Sequence, residues 1–363
     1  MSRRRTNPGS ALRPKRRLGS MPDAALTLDS VSVLLVWTAI AIYALAFIAY
    51  AIDLARRSAS AIEEKDAASG AVRTEARELV GAAAGGSTTS ARGAGSAASA
   101  SDSVSWTQDA SGKKPRLVWA RVGTVLTVLG FIFHLGATVT RGIAAERVPW
   151  SNMYEFALTG TLLIIAVYLA ALVRSDLRFL GSLITGLTVL LLGGATLAFY
   201  VEIVPLMDPL KSVWLVIHVF VASLATALFA LAFGLSVLQL MQSRRETKAK
   251  GPGFLRTLPR SEALESLAYR FTIIGFMFWT FTLIAGAIWA NDAWGRYWGF
   301  DTKEVWTFVI WVLYAGYIHA RATRGWRGSR SAWLSIIGFA AVLFNFTIVN
   351  MFFKGLHAYS GLS

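Results

Sequence analysis

The chain has no cysteine and few charged residues. Asp, Glu, Lys and Arg together make up only 16% of its 363 residues. Without cysteine, the chain has no disulfide bonds, no thiolate metal ligands and no thiol redox chemistry. A soluble domain is usually about a quarter charged, so this composition argues against an ordinary soluble fold. Any metal chemistry must use carboxylates or the four histidines, which are His134, His218, His319 and His357.

Long apolar runs make up most of the sequence, and 55% of all residues are hydrophobic. Most runs have about 20 residues, enough for a helix to cross the ~30 Å hydrocarbon core. The first lacks the cleavage site of a signal peptide. The sequence predicts an all-α, polytopic membrane protein with about eight transmembrane helices, near residues 31–51, 117–140, 154–174, 179–200, 213–241, 271–290, 305–321 and 332–353.

A polar stretch after the first apolar run divides the chain. Its first half is compatible with a solvated helix, and its Gly- and Ser-rich second half is typical of a flexible tether. We therefore expect an N-terminal extension over 1–30, a first transmembrane helix over 31–52, a cytoplasmic tether over 53–116 and a membrane domain over 117–363.

The positions of Lys and Arg predict the orientation in the membrane. The connections 52–118, 174–178, 242–270 and 319–331 contain 22 of them, whereas the alternate connections contain six. Because cytoplasmic loops are enriched in Lys and Arg, we expect the C-terminus to lie outside the plasma membrane. The net charge of +15 then reflects the topology of the chain in the lipid bilayer rather than binding of nucleic acid.

The N-terminus conflicts with this orientation. Eight helices with an outer C-terminus require an outer N-terminus, yet residues 1–20 contain seven Lys and Arg. Either the first helix has another orientation, or translation begins at Met21, where the acidic stretch "MPDAALTLDS" follows. We favour a start at Met21, which mass spectrometry of the native N-terminus tests.

Residues 289–306, "WANDAWGRYWGFDTKEVW", form an aromatic segment with four tryptophans, two aspartates, a lysine and a glutamate. A helical turn would place Trp294 and Trp298 on one face. A belt of interfacial aromatic residues does not need the charged residues. Stacking faces beside polar groups suit a large planar ligand with a polar edge.

The histidines differ in predicted depth. His218 lies near the outer end of its helix, one turn after Trp214, and His357 follows the last helix on the same side. His319 lies about 21 Å inward, and His134 lies at another depth. His218 and His357 therefore have the positions expected of two axial ligands of one haem iron. For each histidine, a hydrogen-bonded packing role is the alternative.

The stretch "WGRYWGFDTKEVW" resembles the tryptophan-rich WWD signature of haem-handling proteins of cytochrome c maturation. The segments "FHLGATVTRGIAAERVPWSNMYEF", "SVWLVIHV", "WVLYAGYIHAR" and "NMFFKGLHAYSG" follow the order of the CcsA/ResC branch (CcsB in some bacteria) of system II. This resemblance covers about residues 120–360. Where the family usually has Trp-Asp-Pro, this chain has Phe300, Asp301 and Thr302, which removes an indole N–H and loosens the turn.

The resemblance implies roles for individual residues. His218 and His357 correspond to outer-face ligands of haem b, and His319 to an intramembrane ligand whose second histidine comes from a ResB-like partner. Trp294, Trp298 and Asp301 correspond to the residues that name the signature. Further haem-binding candidates near the outer face are Trp214, Asn152 and Glu155. His134 receives no role.

The resemblance also implies a function in cytochrome c maturation. Haem would enter from the cytoplasmic side and pass to the outer face, where its vinyl groups meet the two thiols of a CxxCH motif in apocytochrome c. The chain would then be one component of a cytochrome c synthase, or haem lyase, complex. Two alternatives remain open, a membrane haem b electron carrier and a haem transporter. The first needs histidine pairs at matched depth inside the bundle, and the second favours charged residues at the midplane.

Overall fold

A computed structural model describes residues 27–84, 118–248, 251–323, 326–353 and 355–357. The predicted extension up to residue 26, with Met21, lies outside these residues, and so does the Gly- and Ser-rich part of the tether. The described ranges contain helices and no strand. The prediction of an all-α polytopic membrane protein is confirmed.

Eight long helices form the bundle. They are α1 (Leu28–Ala84), α2 (Val118–Ala144), α3 (Met153–Arg174), α4 (Gly181–Ala198), α5 (Val213–Lys248), α6 (Ser261–Trp294), α7 (Thr302–Ala322) and α8 (Ser329–Phe344). Helix α8 continues into a π-helical turn, Asn345–Val349, and a final α-helical turn, Asn350–Phe352. Helix α1 extends through the first part of the polar stretch assigned to the tether.

Seven of the described helices are long and apolar enough to cross a membrane, and α7 is the exception. Its 21 residues reach about 30 Å, but its Trp, Tyr and His residues lower its hydropathy. Two indole hydrogen bonds join it to α6. Trp279 donates to the Thr307 carbonyl over 3.1 Å, and Trp311 donates to the Thr280 hydroxyl over 2.9 Å. Such packing and hydrogen bonding associate helices in lipid, so α7 belongs to the bundle.

A buried ion-pair network joins helix ends at one end of the bundle. Arg141, near the end of α2, pairs with Asp29 at the start of α1 and with Glu155 at the start of α3. Its guanidinium also donates to the Val201 carbonyl, just after α4, over 2.8 Å. The starts of α1 and α3 and the ends of α2 and α4 therefore lie together.

An apolar cluster brings the start of α5 and the end of α6 to this same end. Its buried members include Trp150, Leu215 and Trp289. At the opposite end, Glu265 of α6 pairs with Arg321 of α7 over 2.7 Å. The described parts of the Lys- and Arg-rich connections therefore lie at one end of the bundle, and the aromatic segment lies at the other.

Candidate functional site

A cavity of about 500 Å³ lies between α3, α4, α5 and the π-helical turn after α8. Ligand sites usually measure about 300–1,000 Å³ and have mostly apolar walls with a few polar groups. The walls here follow that pattern, with leucine, alanine and phenylalanine side chains over most of the surface. The polar groups of the lining include His218, Lys303, Asn345, Asn350 and His357.

His218 presents one ring nitrogen to a backbone carbonyl. Its Nδ1 lies 2.9 Å from the carbonyl oxygen of Thr282 on α6. Because a carbonyl oxygen only accepts hydrogen bonds, Nδ1 carries the hydrogen and Nε2 keeps its lone pair. A Cβ on Gly286 would lie 2.7 Å from Cε1 of this ring, so a glycine on α6 gives the imidazole its space.

His357 is held by a carboxylate in the same manner. Its Nδ1 lies 2.6 Å from Oδ2 of Asp301, and the other carboxylate oxygen accepts the N–H of Leu356. Asp301 also caps α7 in a reciprocal arrangement with Glu304. The hydrogen bond from His357 holds the pKa of the Asp301 carboxyl below its usual range. In the neutral imidazole, Nε2 again keeps its lone pair.

Trp289 contacts both imidazoles. Its ring centroid lies 5.9 Å from that of His218, with 22° between the planes, and 5.3 Å from that of His357, with 69°. Trp294 adds an edge contact to His357 at 4.7 Å. The two imidazoles therefore lie around one indole, although 138 positions separate them in the sequence.

A second cavity of about 80 Å³ shares His218, Trp289, Lys303 and His357 with the first. Tyr297 and Trp298 of the aromatic segment also line it. The two imidazoles therefore lie where the large apolar cavity meets the second, smaller cavity, which residues of the aromatic segment line.

The predicted helical spacing of two tryptophans is wrong. Helix α6 ends at Trp294, and Gly295 adopts a left-handed conformation with φ of 71°, as a helix-terminating glycine does. Trp294 consequently packs beside His357. Trp298 instead meets Phe300 and Phe308 edge-on.

Three further candidates support the end of the bundle rather than line either cavity. Trp214 packs against the apolar cluster around Trp289. The Asn152 side chain caps α3 by accepting the N–H of Glu155 over 2.9 Å. Glu155 itself is fully buried and accepts hydrogen bonds from Arg141 and from Arg147, the latter over 2.7 Å.

The other two histidines lie apart from this site. His319 is exposed in the last turn of α7, about 25 Å along the helix from its first residue. His134 is fully buried, with Nε2 2.9 Å from the Leu158 carbonyl oxygen and Nδ1 3.4 Å from the Tyr43 hydroxyl. Both nitrogens of His134 are engaged, so it is a packing histidine.

Sequence reasoning missed several residues of the site. Trp289 was present in the quoted aromatic segment, but only its contacts distinguish it from the other tryptophans. Thr282 acts through a backbone carbonyl, which no sequence pattern identifies. Gly286 lies one turn after Thr282, and its importance appears only once the imidazole of α5 is placed against it.

The two histidines of the site suit a metal ion that already has most of its ligands from a bound cofactor ring. Within the described ranges, no three His, Asp or Glu side chains are grouped to hold an ion. Two imidazoles with unused Nε2 atoms would suffice as the axial ligands of an iron whose other four ligands come from a porphyrin. The apolar walls and indoles suit its ring. The site therefore fits haem as a bound substrate.

Fold and site together define a polytopic helical membrane protein with an apolar cavity and paired histidines at one end. The family model described as cytochrome C assembly protein matches residues 150–357, more than half of the chain. The chain belongs to this family, as its motifs predicted.

Curated relatives support the assignment. The cytochrome c biogenesis protein CcsA of Guillardia theta is 35% identical over 260 residues, covering 66% of this chain and 85% of the relative. CcsA of Microcystis aeruginosa is 34% identical over 284 residues, covering 65% and 86%. CcsA of Trieres chinensis is 30% identical over 274 residues, covering 67% and 88%.

A solved structure shares the fold. The structure titled cytochrome c heme lyase CcmF aligns with a TM-score of 0.56 and 15% sequence identity. The alignment covers 89% of this chain and 47% of that one, so this chain spans about half of its length. At this identity the likeness concerns the fold alone.

Proposed function

We propose that this protein acts in cytochrome c maturation by binding haem b and presenting it for covalent attachment to apocytochrome c. One observation carries the proposal. His218 and His357 meet around Trp289, and each engages Nδ1 and leaves Nε2 for a metal. The names of the curated relatives and the family membership support the same process.

The chain contributes positioning rather than a nucleophile. Each thiol of the apocytochrome CxxCH motif adds across one haem vinyl group, with sulfur bonding to one carbon and hydrogen ending on the other. Nothing is oxidised or reduced in this step. Holding haem and thiols in register removes much of the entropic barrier, and the apolar walls exclude water. The CxxCH histidine would then replace one of the two imidazoles at the iron.

The orientation of the site follows from charge. The described parts of the Lys- and Arg-rich connections lie at the end of the bundle opposite the aromatic segment, and such connections face the cytoplasm. We therefore infer that the cavity and the C-terminus face the outside of the plasma membrane, where apocytochrome c would be met. The start of α1 lies at this same outer end, which supports an outer N-terminus.

His319 belongs to an earlier step of the proposal. Its exposed position on α7 leaves it open to a second membrane protein, and no other described histidine lies beside it. We infer that a ResB-like partner supplies the second ligand as haem crosses the membrane. Neither His134, with both nitrogens engaged, nor His319 completes a second pair within this chain, which disfavours the electron-carrier alternative.

Covalent haem attachment in cells tests the proposal. The chain is expressed with a ResB-like protein and a reporter apocytochrome c, and haem bound covalently to the reporter is quantified after denaturing electrophoresis. We expect His218→Ala and His357→Ala to reduce attachment strongly, and His134→Gln to retain it wherever the protein accumulates. Normal attachment in both of the first two variants would overturn the proposal.

A further inference from the structure

Lys303 is a cationic residue of the site, and it has no role in the iron ligation proposed for His218 and His357. It lies in the first turn of α7 and lines both cavities with His218 and His357. Among the side chains that line the large cavity, it is the one Lys, Arg, Asp or Glu. An ammonium group in such apolar surroundings loses hydration and requires a partner of opposite charge or several hydrogen bonds.

The described neighbours include no ion-pair partner for Lys303, although the Asp301 carboxylate acts on it electrostatically. Lys303 donates to the neutral carboxamide of Asn350, and no carboxylate of the described residues lies within ion-pair distance of it. Asp301 is engaged by His357, and Glu304 accepts the N–H groups of Gly299 and Asp301. The charge of Lys303 is therefore available to a ligand.

The π-helical turn places a second polar group on the same cavity. Its first residue, Asn345, is 5% exposed and lines the cavity, and its carboxamide oxygen makes no hydrogen bond within the described residues. A buried carboxamide oxygen without a partner costs about 1–3 kcal/mol, and π-helical turns are frequent at functional sites. Rotation of the carboxamide lets Asn345 donate or accept there.

We propose that Lys303, with Asn345 and Asn350, forms a subsite that binds a carboxylate side chain of the porphyrin. This inference rests on the proposed function and adds the orientation of the ring. A macrocycle with carboxylates on one edge would be anchored at Lys303 while its iron meets the imidazoles. The subsite would thereby fix which edge carries the vinyl groups towards the incoming thiols.

Iron-free porphyrins test this separately from iron ligation. Purified protein is titrated with protoporphyrin IX and with its dimethyl ester, and binding is followed by quenching of tryptophan fluorescence. We expect the diacid to bind at least about tenfold more tightly than the ester, the scale of one charge-assisted hydrogen bond. Equal affinity of the unaltered protein for the two porphyrins would overturn the proposal without any variant.

Matched variants locate the effect. The preference is the ratio of the affinity for the diacid to the affinity for the ester. In Lys303→Gln this ratio should fall close to one, whereas Lys303→Arg should keep most of the preference. Lys211→Gln removes a charge from an exposed ion pair near the start of α5 and should leave the preference unchanged. A full preference in Lys303→Gln would contradict the subsite. His218→Ala should lose iron ligation and keep the diacid preference, so a failure of ligation and a failure of the subsite give different results.

Discussion

His357 donates its Nδ1 hydrogen to the carboxylate of Asp301, with 2.6 Å between the two heavy atoms. The contact joins the segment after α8 to the N-terminus of α7. It determines which nitrogen of the imidazole remains available, and a carboxylate partner makes that nitrogen a stronger metal ligand. In the function that we propose, the aspartate of the aromatic segment therefore acts through the histidine and makes no direct contact with haem iron.

Replacement of this aspartate should weaken haem binding. Asp301→Asn keeps an acceptor of similar size but removes the charge, and changes to such supporting residues cost about 10–100-fold in metal affinity. Titration of the purified variant with haem measures the loss. Asp292→Asn is a matched control, because Asp292 belongs to the same segment but bonds to Ser212. An unchanged affinity in Asp301→Asn would contradict the assigned role.

The same carboxylate gives a pH dependence of stability. The hydrogen bond from His357 lowers the pKa of Asp301 in the folded protein, relative to about 3.9 in an unfolded chain. Its stabilisation is thus complete above about pH 4 and is lost as pH falls through the lower folded value. The difference in unfolding temperature between the original protein and Asp301→Asn should persist down to about pH 5 and shrink below about pH 4. A difference that vanishes already at pH 6 would contradict this.

A methyl group at Gly286 should displace the His218 imidazole. The added Cβ would lie 2.7 Å from Cε1 and 2.8 Å from Nδ1 of that ring, and the bond to Thr282 leaves the ring little freedom. We expect Gly286→Ala to lower haem affinity at least about tenfold. Gly316→Ala on α7 is the control, since a Cβ there meets nothing within 4 Å. It should keep haem affinity and stabilise its helix by up to ~1 kcal/mol.

The buried ion-pair network should matter for stability more than for ligation. Arg141→Met leaves Glu155 with Arg147 as its remaining cation, and breaking a buried pair costs about 3–5 kcal/mol. Thermal unfolding in detergent should shift strongly downwards. Lys211→Ala breaks an exposed pair with Asp208 and should change stability by less than about 1 kcal/mol. Equal unfolding temperatures for the two variants would contradict the structural role of Arg141.

Patterns along the chain predicted much of this protein. The apolar runs predicted the positions of the helices. The Lys and Arg counts divided the connections into two groups, and the structure places the described parts of these groups at opposite ends of the bundle. The convergence of His218 and His357 followed from helix direction alone. The predicted depth of His319 along α7 also differed from that of His218 and His357, and in the structure His319 lies away from this pair.

Contacts between distant segments could not be predicted. Gly295 ends α6 between Trp294 and Trp298, so a spacing of four did not bring these indoles to one face. Lys303 donates to Asn350, which directly follows the π-helical turn, and no sequence pattern predicts that contact. The resemblance implies that Asn152 and Glu155 are haem-binding candidates, whereas their hydrogen bonds show that they hold the start of α3.

The central claim is that one haem iron is ligated by His218 and His357 together. The absorbance spectrum of ferrous haem bound to the purified chain measures this directly, for the original protein and for His218→Ala, His357→Ala and His134→Gln. We expect a six-coordinate bis-imidazole spectrum that each of the first two variants loses and that added imidazole restores, with His134→Gln unchanged. A bis-imidazole spectrum that persists in His218→Ala or His357→Ala would contradict the claim.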